Sequence, residues 1–229
     1  MRKRPAIYVL GGVAAAYGVY AAWTWLRYGK GRRTVAPAET DPLLDTFMPA
    51  YDVVERRSAR VASPAETTLA AACEMDFDQS ALARAAFRGR ELLLRDTGRE
   101  STLPSGLLAK TKALGWGALA EVTGREIVMG AVTQPWEAHV VFRALPPEEF
   151  AAFQDPAYVK IAWTLRADPV TPVACIFRTE TRVVACGPES RSKFRKYWAL
   201  LSPGIILIRL AMLRPVRREA ERRARLRTG

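Results

Sequence analysis

Residues 6–26, AIYVLGGVAAAYGVYAAWTWL, form a run of 21 residues without a charge. As a helix, a run of that length rises about 31 Å, the thickness of a bilayer's hydrocarbon core. Arg2, Lys3 and Arg4 bracket it on one side, and Arg27, Lys30, Arg32 and Arg33 on the other. Trp23, Trp25 and Tyr28 stand at the second boundary, where amphipathic rings favour the headgroup level. The expectation is a retained single-pass anchor over residues 1–33. A signal peptide cleaved after Ala21, with Val19 at the −3 position, is one alternative. A soluble buried helix is the other. The length of the run and its aromatic, basic flank favour the anchor. Ala14, Gly18 and Ala22 recur at four-residue spacing, a small-residue stripe that lets a helix of a membrane protein partner approach closely.

The charge distribution agrees. The chain has 229 residues, a formal net charge of +12 and a sequence pI near 10.1. Residues 1–33 hold seven Lys or Arg and no acid, and residues 209–229 hold eight Arg and two Glu. Between them, 20 basic residues meet 21 acidic ones, so the globular part is close to neutral. A nucleic-acid binder would carry its charge on the folded face among exposed aromatics, so no nucleic-acid partner is expected. The expected partner is an anionic bilayer surface, met by Arg217, Arg218, Arg222 and Arg223 of the tail. The positive-inside count on the two sides of the span is nearly balanced. The basic tail and unpaired cysteines favour a cytoplasmic domain.

Cofactor and metal chemistry find little support. One histidine, His139, excludes sites that need two, and Cys73, Cys175 and Cys186 form no zinc-binding or disulfide pattern. Cys175 and Cys186 lie eleven positions apart on one strand, about 36 Å, too far to bridge. No cofactor is expected. No Gly-rich phosphate loop, nucleophile elbow or paired-carboxylate motif occurs, so a binding role is expected ahead of an enzymatic one.

Residues 34–50 read as a linker containing Pro37, Pro42 and Pro49, with two small apolar groups, Leu43–Leu44 and Phe47–Met48. From residue 51 to 229 the pattern is that of a folded domain. Residues 51–62 alternate as a strand. Ser63, Pro64 and Glu66 suggest N-cap, N1 and N3 of a helix. A second helix is expected over 79–94 and a short one over 107–114. A hairpin follows over 119–132 with Gly124 at its turn, then strands over 139–144, 159–167 and 174–186. In the last strand Cys175, Phe177, Thr179, Thr181 and Val183 share one face. Ile176, Arg178, Glu180 and Arg182 share the other. Glu180, Arg178, Arg182 and Arg166 are expected as a charged row of solvated cross-strand pairs; the alternative is that the row faces the cavity and orients a ligand headgroup. After Gly187 the chain turns helical to its end, with an interruption expected at Ser202-Pro203-Gly204 and a reset at Pro215. The expected class is α+β: a curved antiparallel sheet wrapped around a long C-terminal helix, preceded by the transmembrane helix.

This order resembles the helix-grip fold of the START/SRPBCC superfamily, which includes lipid-transfer domains and polyketide cyclases. The junction Arg60-Val61-Ala62-Ser63-Pro64-Ala65-Glu66 is similar to that superfamily's first strand and first helix, with Ser63 standing before the proline. Gly115-Trp116-Gly117, Gly124-Arg125-Glu126-Ile127-Val128, Ala131-Val132-Thr133-Gln134-Pro135-Trp136 and Thr179-Glu180-Thr181-Arg182-Val183 resemble segments of an uncharacterised bacterial branch. The resemblance covers about residues 45–226. It implies a hydrophobic cavity between sheet and long helix, lined by Phe177, Trp198, Leu201, Ile205, Ile208 and Met212, and a lipid or other apolar ligand. The function it implies is a membrane-anchored, non-enzymatic binding protein. The alternatives are an accessory subunit of a membrane complex and a cyclase- or dehydratase-like enzyme.

Overall fold

Nine residues from Val53 to Val61 (VVERRSARV) alternate and pair as an edge strand, β1, of a six-stranded antiparallel sheet. The computed structural model describes residues 4–28, 40–76 and 104–228; side chains at 4–14, 27, 204–205, 207–209 and 228 lie outside that description. The helix expected over 79–94 falls outside it too. The other strands are β2 (Gly117–Val122), β3 (Glu126–Thr133), β4 (Phe142–Arg143), β5 (Val159–Thr171) and β6 (Ala174–Ala185). Their order is β1-β6-β5-β3-β2, with β4 on β3. β5 and β6 are the longest pair, running from Val159↔Ala185 to Thr171↔Ala174 with a register shift between Pro169 and Thr171. The strand expected over 139–144 shrinks to two residues, and His139 lies exposed in the loop before it. The β2–β3 turn uses Gly124 at φ +68°, a left-handed conformation that glycine adopts without a Cβ clash.

The helices are α1 (Arg4–Arg27), α2 (Pro42–Phe47), α3 (Ala65–Glu74), α4 (Leu107–Ala113), α5 (Pro147–Ala152) and α6 (Pro188–Thr228). They cover both faces of the sheet. On one face α3 and the C-terminal half of α6 bury Val61, Ile127, Met129, Leu165 and Phe177 against Met212, Val216 and Ala220. On the same face, the N-terminal part of α6 packs Phe194 and Trp198 on Val53, Val159 and Val183. On the opposite face, α2 and α5 cover Leu119, Val128, Val132 and Ala162 with Leu44, Met48 and Phe150. Gly130 makes room there: a Cβ would meet Leu119 at 2.5 Å and Phe150 at 3.0 Å. This α+β architecture, an antiparallel sheet with a long C-terminal helix, is consistent with a helix-grip fold.

Three local expectations change. α6 runs 41 residues through Pro203 and Pro215 without the expected break. An internal proline costs a helix about 3 kcal/mol. Here packing on the sheet at both ends, by Trp198 and by Met212 and Val216, outweighs that cost. The N-cap of α3 is Pro64, not Ser63. Pro64 has extended backbone (ψ 149°), so the helix starts one residue later, and Ser63 is buried. Within the linker stretch, Asp41 caps α2 by accepting from the Leu44 N–H at 2.9 Å, with Pro42 opening the helix.

α1 lies along α6. Tyr17 Oη donates to the Leu200 carbonyl, and Tyr20 Oη meets Ser202 Oγ at 3.1 Å. Arg195 donates twice to the Trp25 carbonyl, at 3.0 and 2.7 Å, and its guanidinium lies 4.3 Å from the Trp25 ring centroid. Among the described residues no helix is long and apolar enough to cross a membrane.

Candidate functional site

Side chains alternate across a strand, so β6 sends one set of residues toward α6 and the other toward α2. Toward α6, Cys175 and Phe177 join the packed cluster at one end, and Val183 joins the cluster at the other. Between them stand Thr179 and Thr181. The register places Thr181 opposite Glu55 and Trp163, and Thr179 opposite Arg57 and Leu165. Arg57 and Glu55 form an ion pair at 3.2 Å. The middle of the grip is therefore mainly polar, flanked by two apolar ends. Thr181 Oγ1 is enclosed there without a hydrogen-bond partner among the described residues.

The six expected cavity residues divide between these zones. Phe177 and Met212 are buried together in the cluster beside α3. Trp198 is buried with Phe194 in the other cluster. Leu201 is half-buried on the stretch of α6 between the clusters, and the side chains of Ile205 and Ile208, on the same stretch, lie outside the description.

The opposite face contradicts one expectation. The row Glu180, Arg182, Arg178 and Arg166 is not a set of solvated pairs. Glu180 and Arg182 are only 5 % and 2 % exposed, beneath α2. Burial of a charge is tolerated when it is paired and hydrogen-bonded, and here it is both. Arg56 holds Glu180 with Nε at 2.7 Å and Nη2 at 2.8 Å. Arg182 Nε holds the same carboxylate at 2.7 Å, while its Nη1 bonds Asp45 Oδ1 and, at 2.7 Å, the Met48 carbonyl. Tyr51 lies under both guanidinium groups, 5.7 Å from Arg56 and 4.8 Å from Arg182. The expected linker thus supplies Asp45 and the end of α2 as the lid over a buried ion network.

Beside this network, Asp168 accepts from Arg166 Nε at 2.7 Å and from Arg178 Nε at 2.8 Å. Partial burial works against its ionised form, but the two guanidinium bonds outweigh it and hold Asp168 below the usual carboxylate range. Glu126 behaves oppositely. Burial first, and the neighbouring Asp41 carboxyl second, push Glu126 up to about 8. Thr164 Oγ1 contacts it at 3.4 Å. Asp41, Thr164, Arg166, Arg178 and Glu180 line a cavity of about 190 Å³. Asp41, Asp45, Glu126 and Asp168 escaped the reading of the sequence. Asp41 followed by Pro42 carried the one available signal, an N-cap and N1 pair.

At the far end of α6, Arg217, Arg218 and Arg222 are exposed. Arg223 is tied down, to Glu74 on α3 at 2.8 Å and to Glu219 at 2.7 Å. Arg217 pairs with Glu221 at 2.9 Å and Arg222 with Glu219 at 2.7 Å. The expected tail is thus the last turns of α6, docked beside α3.

No family model matches this chain, and no curated protein does. Solved structures offer distant likenesses. One is a hypothetical protein, jhp0584, from Helicobacter pylori: TM-score 0.39, 8 % identity, covering 82 % of this chain and 99 % of that one. Another is the Zhui aromatase/cyclase from Streptomyces sp. R1128: TM-score 0.31, 15 % identity, covering 77 % and 98 %. A third, from Thermobifida fusca, has a TM-score of 0.20 and 12 % identity, covering 67 % and 94 %. At these scores the likenesses say nothing about the site.

Proposed function

We propose that this chain is a membrane-bound, START/SRPBCC-like domain that holds an amphiphilic, lipid-like molecule between its sheet and α6, as a binder and not a catalyst. Thr181 carries the reading. Its hydroxyl is enclosed and unpartnered midway along the grip, between two apolar ends. An unsatisfied buried hydroxyl costs about 1–3 kcal/mol, and a ligand's polar group would remove that cost. Apolar parts of the same ligand would lie toward Trp163 and the stretch of α6 that carries Leu201, Ile205 and Ile208.

The membrane half rests on the uncharged run of residues 6–26 and its basic brackets. The docking of α1 on α6 is compatible with it. Apolar side chains stay exposed on both helices, among them Tyr17, Val19, Trp23 and Leu26 on α1 and Leu200 and Leu210 on α6. A surface of this kind suits lipid better than water. On this reading the protein takes its ligand from the bilayer beside it, and the domain faces the cytoplasm.

The test has two parts. Membranes carrying the full-length chain, washed with carbonate and then with high salt, retain it. Lipid extraction of the purified protein then yields one amphiphile per chain. Release by either wash, or a preparation free of bound amphiphile, contradicts the proposal.

The small-residue stripe favours a second reading, an accessory subunit. Gly18 has no atom within 4 Å of where a Cβ would stand, and Ala22 is exposed, so this side of α1 is open to a partner helix. A stoichiometric membrane protein in the gentle extract would favour it.

A further inference from the structure

The face of the sheet that looks away from α6 holds cationic donors that no group among the described residues uses. Asp168 offers one oxygen to Arg166 Nε and the other to Arg178 Nε, which sets two guanidinium groups side by side. Arg125 approaches the same carboxylate at 3.6 Å. Three guanidinium groups thus surround one acid. Glu180 also lines the pocket but is already held by Arg56 and Arg182, and Asp41 contacts Glu126. Arg166, Arg178 and Arg125 are left with Asp168 as the one acid they share.

The donors are open as well as charged. A guanidinium has five N–H groups. Arg166 uses Nε on Asp168 and Nη1 on the Thr40 carbonyl at 2.9 Å, leaving Nη2. Arg178 uses Nε alone, so neither of its terminal nitrogens bonds a protein group among the described residues. Both side chains are mostly withdrawn from solvent, with side-chain exposures of 14 % and 23 %. They line the cavity of about 190 Å³, whose wall also carries the Ser58 and Thr164 hydroxyls. With arginine, hydroxyl and carboxylate groups in its wall, the space suits a compact polar group.

We propose that this pocket binds a phosphate group, free or at the end of a larger molecule, through the terminal nitrogens of Arg178 and Arg166. A planar fork of N–H donors matches two oxygens of a phosphate, and the bonds are charge-assisted. Asp168 positions the two forks, and Ser58 and Thr164 are placed to complete the shell from the wall. The site stands on the opposite face of the sheet from Thr181 and does not depend on the lipid-binding reading.

Calorimetric titration of the full-length protein, in a non-ionic detergent, with inorganic phosphate at constant ionic strength tests this. The wild type binds one phosphate per chain. Arg178→Gln weakens binding about tenfold or more, as expected when a charge-assisted fork is lost. Ser58→Glu, at an exposed strand position that tolerates substitution, places a carboxylate at the pocket and abolishes binding even if Arg178→Gln fails to fold. Arg218→Gln, far from the pocket, leaves it unchanged. Competition with a short-chain phosphatidic acid identifies the source. Displacement of phosphate assigns the site to a lipid headgroup, and no displacement assigns it to a free or soluble phosphate; either result supports a phosphate site. No phosphate binding by the wild type, or binding equal in wild type and Ser58→Glu, overturns the proposal.

Discussion

The two faces of the sheet are built from alternate residues of the same strands, yet they solve burial in opposite ways. Toward α6, Phe177, Leu165, Met129 and Val61 are apolar and close-packed. Toward α2, Glu180, Arg182, Arg166 and Asp168 are charged, and each meets a partner at 2.8 Å or less. The apolar face is stabilised by area removed from water and carries the unpartnered Thr181 hydroxyl in its middle. The charged row, which stands beside the apolar cluster of Leu44, Met48 and Phe150, contributes stability only while every partner is present. On the proposed function, the first is the side that takes the apolar guest. The second is a rigid frame, with a few donors left open at one edge.

Removing a partner from the charged face separates the two modes most sharply. Arg182→Ala leaves Glu180 buried with one partner fewer and Asp45 unpaired, and lowers stability by about 3–5 kcal/mol. Urea unfolding measures it. The double variant Glu180→Met, Arg182→Met loses clearly less than the sum of the single losses, because neither charge is stranded. Additive losses would mean that the network is not a coupled unit.

On the apolar face, Phe177→Ala costs about 3–5 kcal/mol through lost burial and a residual cavity, and no second substitution in the charged row rescues it. Rescue would show that the two faces are coupled through the strands.

The next effect is on pH dependence. Glu126 has its folded value raised to about 8 from an ordinary 4.5, so the unfolded chain loses this proton at lower pH than the folded one. Its contribution is full below about 4.5 and is lost as the pH rises through about 8. Glu126→Gln therefore flattens the fall in stability across that window. Asp168 has the opposite sign. Its contribution is present at neutral pH and is lost only in acid, as the pH falls below the usual carboxylate range. Thermal melts of Glu126→Gln from about pH 4 to 9, and of Asp168→Asn from about pH 2 to 6, each beside the wild type, check the signs. An unchanged pH profile in Glu126→Gln would remove this carboxyl from the buried frame.

A smaller effect is expected at Thr181. Thr181→Val removes the unpartnered hydroxyl, and ligand-free protein gains up to about 1 kcal/mol. A loss of stability instead would show that the hydroxyl has a partner. Smallest of all, Arg217→Gln with Arg218→Gln leaves the melting temperature unchanged and reduces binding to anionic vesicles at low salt. Equal binding to neutral vesicles would leave these arginines without a membrane role.

The strands and the long helix were legible because their periodicities are strong. β6 alternates over twelve residues, and α6 keeps its apolar spacing on both sides of Pro203. The lid was not legible. Leu44 and Met48 are buried completely, but they sit in a proline-rich stretch too short to show a helical period. Without α2 in view, Glu180 and Arg182 read as an ordinary solvated face. Glu126 was hidden for a related reason: nothing local marks a carboxylate whose environment is built by Asp41, 85 positions away. The helix expected over 79–94 lies outside the described residues.

Native mass spectrometry of the full-length protein released from mild detergent, comparing wild type with Thr181→Lys, tests the central claim directly. Both proteins give the same circular dichroism, and the wild type carries one amphiphile that the variant has lost, because a charge now occupies the polar middle of the grip. A wild type that flies without any bound amphiphile, or a folded variant that retains it, would contradict the account.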